Sequence, residues 1–347
     1  MNTMTQPLHS DHPTLLEATV RGASTKRAPI WIMRQAGRYL PEYLAIKARS
    51  SFLEMTRDPA IAAEITLQPL KRFALDAAII FSDIMTPLEA LGIEIAFTPG
   101  PSIAQPLRTR AAIDRLELRG EIAPFVGDAL RIVRAELADD VALIGFAGAP
   151  LTLAAYLVEG GGSKEYEHFR QFLRAEPAAM HALLEKLTDL TIRYLRMQIS
   201  AGAQVVQLFD SWAGLHDVPV YREFGVPYAR RIMDALADTG AARIFFALNA
   251  SHLIETLAEI PAEAVGVDWR TDLSEVRKRL PGRALQGNLD PAVLFAGRDT
   301  IAHEAHRVLE QGLGGAHVFN LGHGIWPATP VDAVSQLIET VRAYERS

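Results

Sequence analysis

The stretch Ile30-Trp31-Ile32-Met33-Arg34-Gln35 is a short apolar run that ends abruptly in a cation and an amide. It decides between two α/β architectures. A doubly wound nucleotide-binding sheet follows its first strand with a glycine-rich turn, because the backbone must approach a phosphate closely. Here the first run opens onto Met33-Arg34-Gln35, which disfavours that architecture. Working outward, apolar, β-branched or aromatic runs recur at 30–33, 77–81, 141–146, 204–209, 243–248, 264–267, 284–286 and 316–320. Turn residues and a longer amphipathic segment follow each one. Asp58-Pro59, Asp290-Pro291 and Thr329-Pro330 each set a capping residue before a proline suited to a first helical turn. Residues 129–137, 180–199 and 300–311 space their apolar positions as a helix requires.

Strands alternating with helices are joined by crossovers and run parallel. Eight such units without a Gly/Ser-rich linker predict an α/β fold, a single-domain (β/α)8 TIM barrel. Its expected bounds are an N-terminal arm at 1–26 and a catalytic barrel at 27–347. After the second strand, segments 93–97 and 103–107 flank Pro99-Gly100-Pro101 and read as a short inserted β-ribbon at the barrel mouth.

Composition narrows the function. The 347 residues carry 35 Lys+Arg against 41 Asp+Glu, a net charge of −6, with 49% hydrophobic residues and no cysteine. That excludes a disordered chain, a disulfide-stapled module, thiolate metal sites and a cysteine nucleophile. The acidic balance argues against a nucleic-acid partner. No run approaches the roughly 20 apolar residues of a membrane helix, and the N-terminus is polar, so a cytoplasmic protein without a membrane partner is expected.

The working face of such a barrel lies at the C-terminal ends of its strands. Those ends carry Arg34, Gln35 and Arg38, then Ser82-Asp83, then Gly148-Ala149-Pro150 with Tyr156 beyond. Asp210-Ser211, Asn249, Asp268, Asn288, Asp290 and His323 complete the rim. Wet loops account for Asn249 and Asp268, and helix capping for Asp290. Arg34 and Asp83 directly follow apolar strands, where desolvation is costly without a partner or ligand. Arg34 and Arg38 suit bidentate capture of carboxylates or phosphates, unless they merely pair with nearby acids such as Glu42. Gly160-Gly161-Gly162-Ser163 reads as a flexible joint, a mobile loop over the mouth, and lacks phosphate-loop spacing. His303 and His306, with Glu304 as the only local acid, read as a solvated helix face rather than a metal pair; His9 and His12 sit in the arm and suggest nothing.

The string Ile32-Met33-Arg34-Gln35-Ala36-Gly37-Arg38-Tyr39-Leu40-Pro41-Glu42-Tyr43 closely resembles the N-terminal signature of the uroporphyrinogen decarboxylase family. So do Ile80-Phe81-Ser82-Asp83-Ile84, Gly145-Phe146-Ala147-Gly148-Ala149-Pro150-Leu151-Thr152-Leu153 and Gln207-Leu208-Phe209-Asp210-Ser211. Gly287-Asn288-Leu289-Asp290-Pro291 and Asn320-Leu321-Gly322-His323-Gly324 extend the match in order along nearly the whole chain. The resemblance implies a (β/α)8 barrel, a homodimer, and a cleft for a cyclic tetrapyrrole. It implies removal of carbon dioxide from the four acetates of uroporphyrinogen III, giving coproporphyrinogen III without a metal or organic cofactor. By position it places the site on Arg34, Arg38, Asp83, Tyr156, Ser211 and His323, with Gln35 in the same string as a further substrate contact. Asp83, Arg34, Tyr156 and His323 are the catalytic candidates. Many relatives carry arginine where this chain has Leu44 and Lys47, so those two positions receive no substrate role.

Decarboxylating an arylacetate needs an electron sink, which a pyrrole becomes once its ring carbon beside the acetate is protonated. An ionised Asp83 would steady that cationic ring, and the arginines would hold carboxylates, Arg34 the reacting one. Guanidinium is a very weak acid, which leaves Tyr156 and His323 both open as proton donors. Two other classes compete. Methyltransferases that share the family's fold use zinc held partly by cysteine, which this chain lacks. A tetrapyrrole carrier without catalysis would be expected to lose Asp83 or the arginine pair, and both are present.

Overall fold

The computed structural model describes residues 12–97 and 100–345; His9 and Pro99 lie outside the described residues. Seven strands form one parallel α/β sheet: β1 (Ala77–Ile79), β4 (Ala142–Gly148), β5 (Val205–Asp210), β6 (Ala242–Ala247), β7 (Ala264–Val267), β8 (Ala284–Leu289) and β9 (His317–Leu321), neighbours in that order. Between β1 and β4, Ile95–Ala96 (β2) and Ser102–Ile103 (β3) make a separate two-stranded antiparallel sheet. Sheet strands buried on both faces should read as continuous apolar runs, and β4 and β5 are buried at every position. That is why these runs announce themselves in the sequence.

The expected strand at 30–33 is not one. Only Ile30 forms a bridge, parallel to Phe319. The reason is competition for backbone donors. Asp76 Oδ2 takes the Ile30 N–H at 2.7 Å, Gln35 Oε1 takes that of Ile32 at 3.0 Å, and Asn320 Oδ1 takes that of Met33 at 2.9 Å. Backbone bonds still tie this segment to both edge strands or their approaches: Phe319 N–H reaches Pro29 O at 2.8 Å and Asp76 N–H reaches Ile30 O at 2.9 Å. Inside the sheet's curve a buried polar layer links Trp31 Nε1 to Gln286 and Gln286 to Gln207, at 3.0 Å each.

Helices fill the crossovers. Asp58 caps Pro59–Arg72 through the N–H groups of Ala60 and Ile61, and Pro124–Glu136, Pro177–Ser200 and Arg298–Gln311 cover the expected periodic segments. Thr329-Pro330 behaves otherwise than expected: the helix Val331–Ala343 starts one residue later, with Pro330 itself at the cap and no side-chain cap. In the N-terminal arm, Leu15–Val20 is a helix closed by a Thr14/Glu17 capping box, with Leu16 and Val20 fully buried. The apolar core lies between helices and sheet.

The glycine run is not a loose flap. Gly160 ends the helix Pro150–Glu159, its carbonyl accepts the Ile103 N–H at 2.9 Å, and Gly161 pairs antiparallel with Ser102. Gly161 holds φ at 157°, and a Cβ there would sit 2.8 Å from the Pro101 carbonyl oxygen. Glycine is required here for close docking, which fixes the β2–β3 ribbon to the helix that carries Tyr156. Among the described residues, no helix is long and apolar enough to cross a membrane.

Candidate active site

Arg34 stands at the end of the first apolar run with φ at 65°. A left-handed conformation at a non-glycine residue costs on the order of 1–3 kcal/mol and concentrates at functional positions. The turn is held by the Gln35 N–H on Ile32 O at 2.8 Å. Opposite, Gly324 leaves room for the arginine stem: a Cβ there would lie 2.9 Å from both Cγ and Nε of Arg34. The side chain is exposed and forms no ion pair or hydrogen bond among the described residues.

Three other predicted groups feel that cation. Asp83 follows β1 and accepts the Met85 N–H at 2.8 Å; burial pushes its carboxyl above the usual range, while that N–H and the Arg34 charge pull it back. Burial likewise pushes the Tyr156 hydroxyl up, against the polar edges of Trp212 and Tyr166; the Asp83 charge adds to the rise and Arg34 opposes it. At His323, burial and Arg34 both press the imidazole below its ordinary value. At neutral pH, Tyr156 is therefore a protonated phenol and His323 a neutral imidazole. The charge of one guanidinium thus bears on Asp83 after β1, on Tyr156 in the helix Pro150–Glu159 and on His323 after β9.

Aromatic rings wall these groups. Tyr156 meets Trp212 and Tyr166 edge-on, with ring centroids 6.0 Å apart in each pair, and Tyr166 lies 4.4 Å from Trp212. Trp269 stands 6.4 Å from the His323 ring, under the guanidinium of Arg270 at 4.0 Å. Ser211, partly exposed, sits beside Trp212 at the end of β5. Behind Asp83, the buried Tyr194 hydroxyl lies near Ser82 and is raised by burial. The sequence reading missed Trp212, Tyr166, Tyr194 and Trp269. Only adjacency signalled any of them, Trp212 beside Ser211 and Trp269 beside Asp268.

Two expected contacts behave differently. Gln35 is buried, its Nε2 donating to Ala77 O at 2.9 Å while its Oε1 accepts the Ile32 N–H, so its amide joins the first segment to β1. Arg38 is exposed on the same turn, and its charge opposes the rise that burial imposes on Tyr43 rather than acting on any of the clustered groups. The acid that might have neutralised the arginine pair is engaged elsewhere: Glu42 takes a two-pronged bond from Arg72, 3.0 Å at each oxygen. Three further rim residues serve the fold. Asp268 accepts the backbone N–H groups of Asn249 and Arg270, Asn288 binds the carbonyls of Asp268 and Thr271, and Asp290 caps Ala292. His303 and His306 lie apart from the site on Arg298–Gln311, His303 within 4.0 Å of Glu304. Among the described residues, no group of three or more His, Cys, Asp or Glu could hold a metal ion.

The chain is 46% identical over 351 residues to the uroporphyrinogen decarboxylase of Nocardia farcinica, covering 98% of each chain. It is 43% identical over 330 residues to that of Pelobacter propionicus, covering 94% of this chain and 97% of the other. Among solved structures, a methyltransferase from Methanosarcina mazei superposes with a TM-score of 0.77 at 20% identity, covering 94% of this chain and 97% of that one, a likeness of fold. The family profile described as uroporphyrinogen decarboxylase (URO-D) matches residues 11–344, and the chain belongs to that family.

Proposed function

We propose that this protein removes carbon dioxide from the four acetate side chains of uroporphyrinogen III, leaving methyl groups and yielding coproporphyrinogen III. The observation that carries the reading is that Asp83, Tyr156 and His323, from three separate parts of the chain, all feel the charge of Arg34. Each cycle consumes one proton and releases one carbon dioxide. The pyrrole carbon beside the acetate takes a proton, making a cationic ring. The bond between the acetate methylene and its carboxylate breaks, and its electron pair enters the ring system. A proton then adds to the methylene carbon to make the methyl group, and the first proton leaves the ring as its aromaticity returns.

Asp83 accepts the pyrrole N–H groups and opposes the ring's positive charge; in a water-poor site one such charge contributes about 3–4 kcal/mol to the barrier. Arg34 holds the reacting carboxylate until it departs as carbon dioxide, and Arg38 binds a more peripheral carboxylate. Tyr156 is taken as the proton holder, as burial keeps its hydroxyl protonated at neutral pH while His323 is a neutral imidazole. His323 then serves as a hydrogen-bonding wall together with Ser211. Gln35 contributes by fixing the turn on which Arg34 stands. This scheme draws on no metal or organic cofactor.

The same reading takes the sheet as a closed (β/α)8 barrel, with 27–347 as catalytic domain, 1–26 as arm and the β2–β3 ribbon inserted at the mouth. Support comes from the backbone bonds that join the Pro29–Ile30 segment to both sides of the sheet. A cytoplasmic homodimer without nucleic-acid or membrane partners completes it. The test is direct: purified protein and uroporphyrinogen III under reducing, anaerobic conditions should yield coproporphyrinogen III. Asp83→Asn should fold normally yet lose turnover by roughly 10²–10³-fold. Unchanged substrate would overturn the function, near-wild-type activity in Asp83→Asn would overturn its role, and activity abolished by a chelator would overturn the cofactor-free scheme.

A further inference from the structure

Asp210 closes β5 immediately before Ser211, and only 1% of it is exposed. Among the described residues its hydrogen-bond partners include no lysine or arginine. Its oxygens are instead held by hydroxyls: Thr152 Oγ1 donates to Oδ1 at 2.7 Å, and the Tyr221 hydroxyl donates to Oδ2 at 2.9 Å. Thr152 Oγ1 also accepts the Trp212 backbone N–H at 3.1 Å. Thr152 and Tyr221 are themselves fully buried. A buried carboxylate without a cation is expensive, and an apolar residue would have filled this strand end at lower cost.

What the arrangement achieves is geometric. Thr152 and Tyr156 lie one turn apart on the helix Pro150–Glu159, hence on the same face. Ser211 and Trp212 extend β5, and Tyr221 belongs to the helix Val218–Phe224. The carboxylate joins all three elements at one point. Along the chain Trp212 N–H to Thr152 Oγ1 to Asp210 Oδ1, it links the Tyr156 helix to the strand end. The Trp212 ring, so fixed, meets Tyr156 edge-on at 6.0 Å. A backbone bond from the Ala149 N–H to Phe209 O at 2.8 Å sets the coarse approach of helix to strand, and the hydroxyl chain sets the fine one.

We infer that Asp210 is a positioning residue for the reaction, holding Tyr156 at its working distance from Ser211 through Thr152 and Trp212. The inference rests on the reading of Tyr156 and Ser211 as parts of the active site. Because Asp210 touches no substrate, its effect should pass through Tyr156. Thr152→Val keeps the side chain's shape while removing the hydroxyl link, and should lower kcat by roughly 10- to 100-fold with KM within about threefold of wild type. Thr152→Ser, which restores the hydroxyl, should recover most of the loss.

The decisive measurement is a double-mutant cycle with Tyr156→Phe. If Thr152 acts by placing the Tyr156 hydroxyl, Thr152→Val should slow the Tyr156→Phe enzyme by less than about threefold. Independent, multiplying losses in the two backgrounds would overturn the inference while leaving Tyr156 in the site. Wild-type activity in Tyr156→Phe alone would overturn the reading beneath it. Should Thr152→Val fail to fold, Asp210→Asn carried through the same cycle separates the same outcomes.

Discussion

Replacing Gly324 with alanine tests whether the placement of Arg34, and not merely its charge, governs the reaction. The new methyl carbon would sit 2.9 Å from both Cγ and Nε of Arg34 and closer still to Cδ. Ordinary carbon–carbon contacts lie at about 3.5–4.0 Å, so the stem must move by roughly 1 Å. Gly324 is buried, but the obstacle is the stem of an exposed, flexible side chain, so the fold should absorb the change by moving that stem. The guanidinium, however, is displaced from the point at which it acts on Asp83, Tyr156 and His323 together. A misplacement of about 1 Å at a reacting centre costs on the order of 10²-fold in rate.

The assay is coproporphyrinogen formation under anaerobic, reducing conditions, beside a thermal unfolding curve. Gly324→Ala should keep its melting temperature to within a few degrees and lose about two orders of magnitude in kcat/KM. Arg34→Met supplies the control. In that background the extra methyl has no cation to displace, so the combined variant should be no slower than Arg34→Met alone. Refutation would be full activity in Gly324→Ala at native stability, or a further hundredfold loss when it is added to Arg34→Met. The first result would mean that the arginine acts as a diffuse positive charge, the second that the new methyl acts through something other than Arg34.

Arg38 stands outside the electrostatic cluster, so Arg38→Gln should raise KM about tenfold, the scale of one lost charged contact, and leave kcat within about threefold of wild type; a collapse of kcat would put it at the reacting centre. Stability should respond to pH through two buried groups of opposite sign. Burial raises Asp210 from 3.8 to about 6, so its contribution is fullest below pH 3.8 and is lost as pH rises through 6. Burial lowers His216 from 6.5 to about 4, so its contribution is fullest above pH 6.5 and is lost as pH falls through 4. Wild-type melting temperature should therefore vary little between these limits, and Asp210→Asn should expose the histidine as a steep loss on acidification. A flat profile in that variant would sink the assignment.

The strands that could be read from sequence were those whose cause is local. A strand buried on both faces is mostly apolar, and β4 to β9 show it even where Gln207, Arg243, Gln286 or His317 interrupts the run. Asp58 and Asp290 were equally legible, because a cap and its partners lie within three residues. The segment at 30–33 was apolar for the same reason, but its hydrogen bonding was decided by Asp76 and Asn320, remote in sequence. The glycine run failed likewise: its partner is the strand near Ser102, and nothing within Gly160-Gly161-Gly162 announces it. Candidate site residues emerged from position, since polar groups at strand ends could be enumerated. The cradle at Gly324, the wall of Trp212 and the structural role of Gln35 depend on distances between strands, which no spacing rule supplies.

The net charge of −6 looks unhelpful for a substrate rich in carboxylates, yet the structure places the decisive charge where the global field matters least. Exposed charges more than about 8–10 Å apart are largely screened in physiological salt, whereas the charge of Arg34 reaches three groups that burial has already perturbed. Arg34 holds all three below where burial of Asp83 and Tyr156, or the ordinary value of His323, would otherwise leave them nearer to protonation. A substrate carboxylate that pairs with Arg34 weakens that hold, so each of the three retains a proton more readily once substrate is bound. For Tyr156 and His323 the change favours keeping protons in the site, where the proposed reaction consumes them. At Asp83 it would be harmful, since that group must stay ionised to face a cationic ring. There the pyrrole N–H groups offset it, donating to the carboxylate as the carboxylate's nearest cation becomes engaged. On the proposed function, the substrate thus carries both the anion that occupies Arg34 and the donors that replace it at Asp83, and a ligand presenting the two together keeps the site in working order.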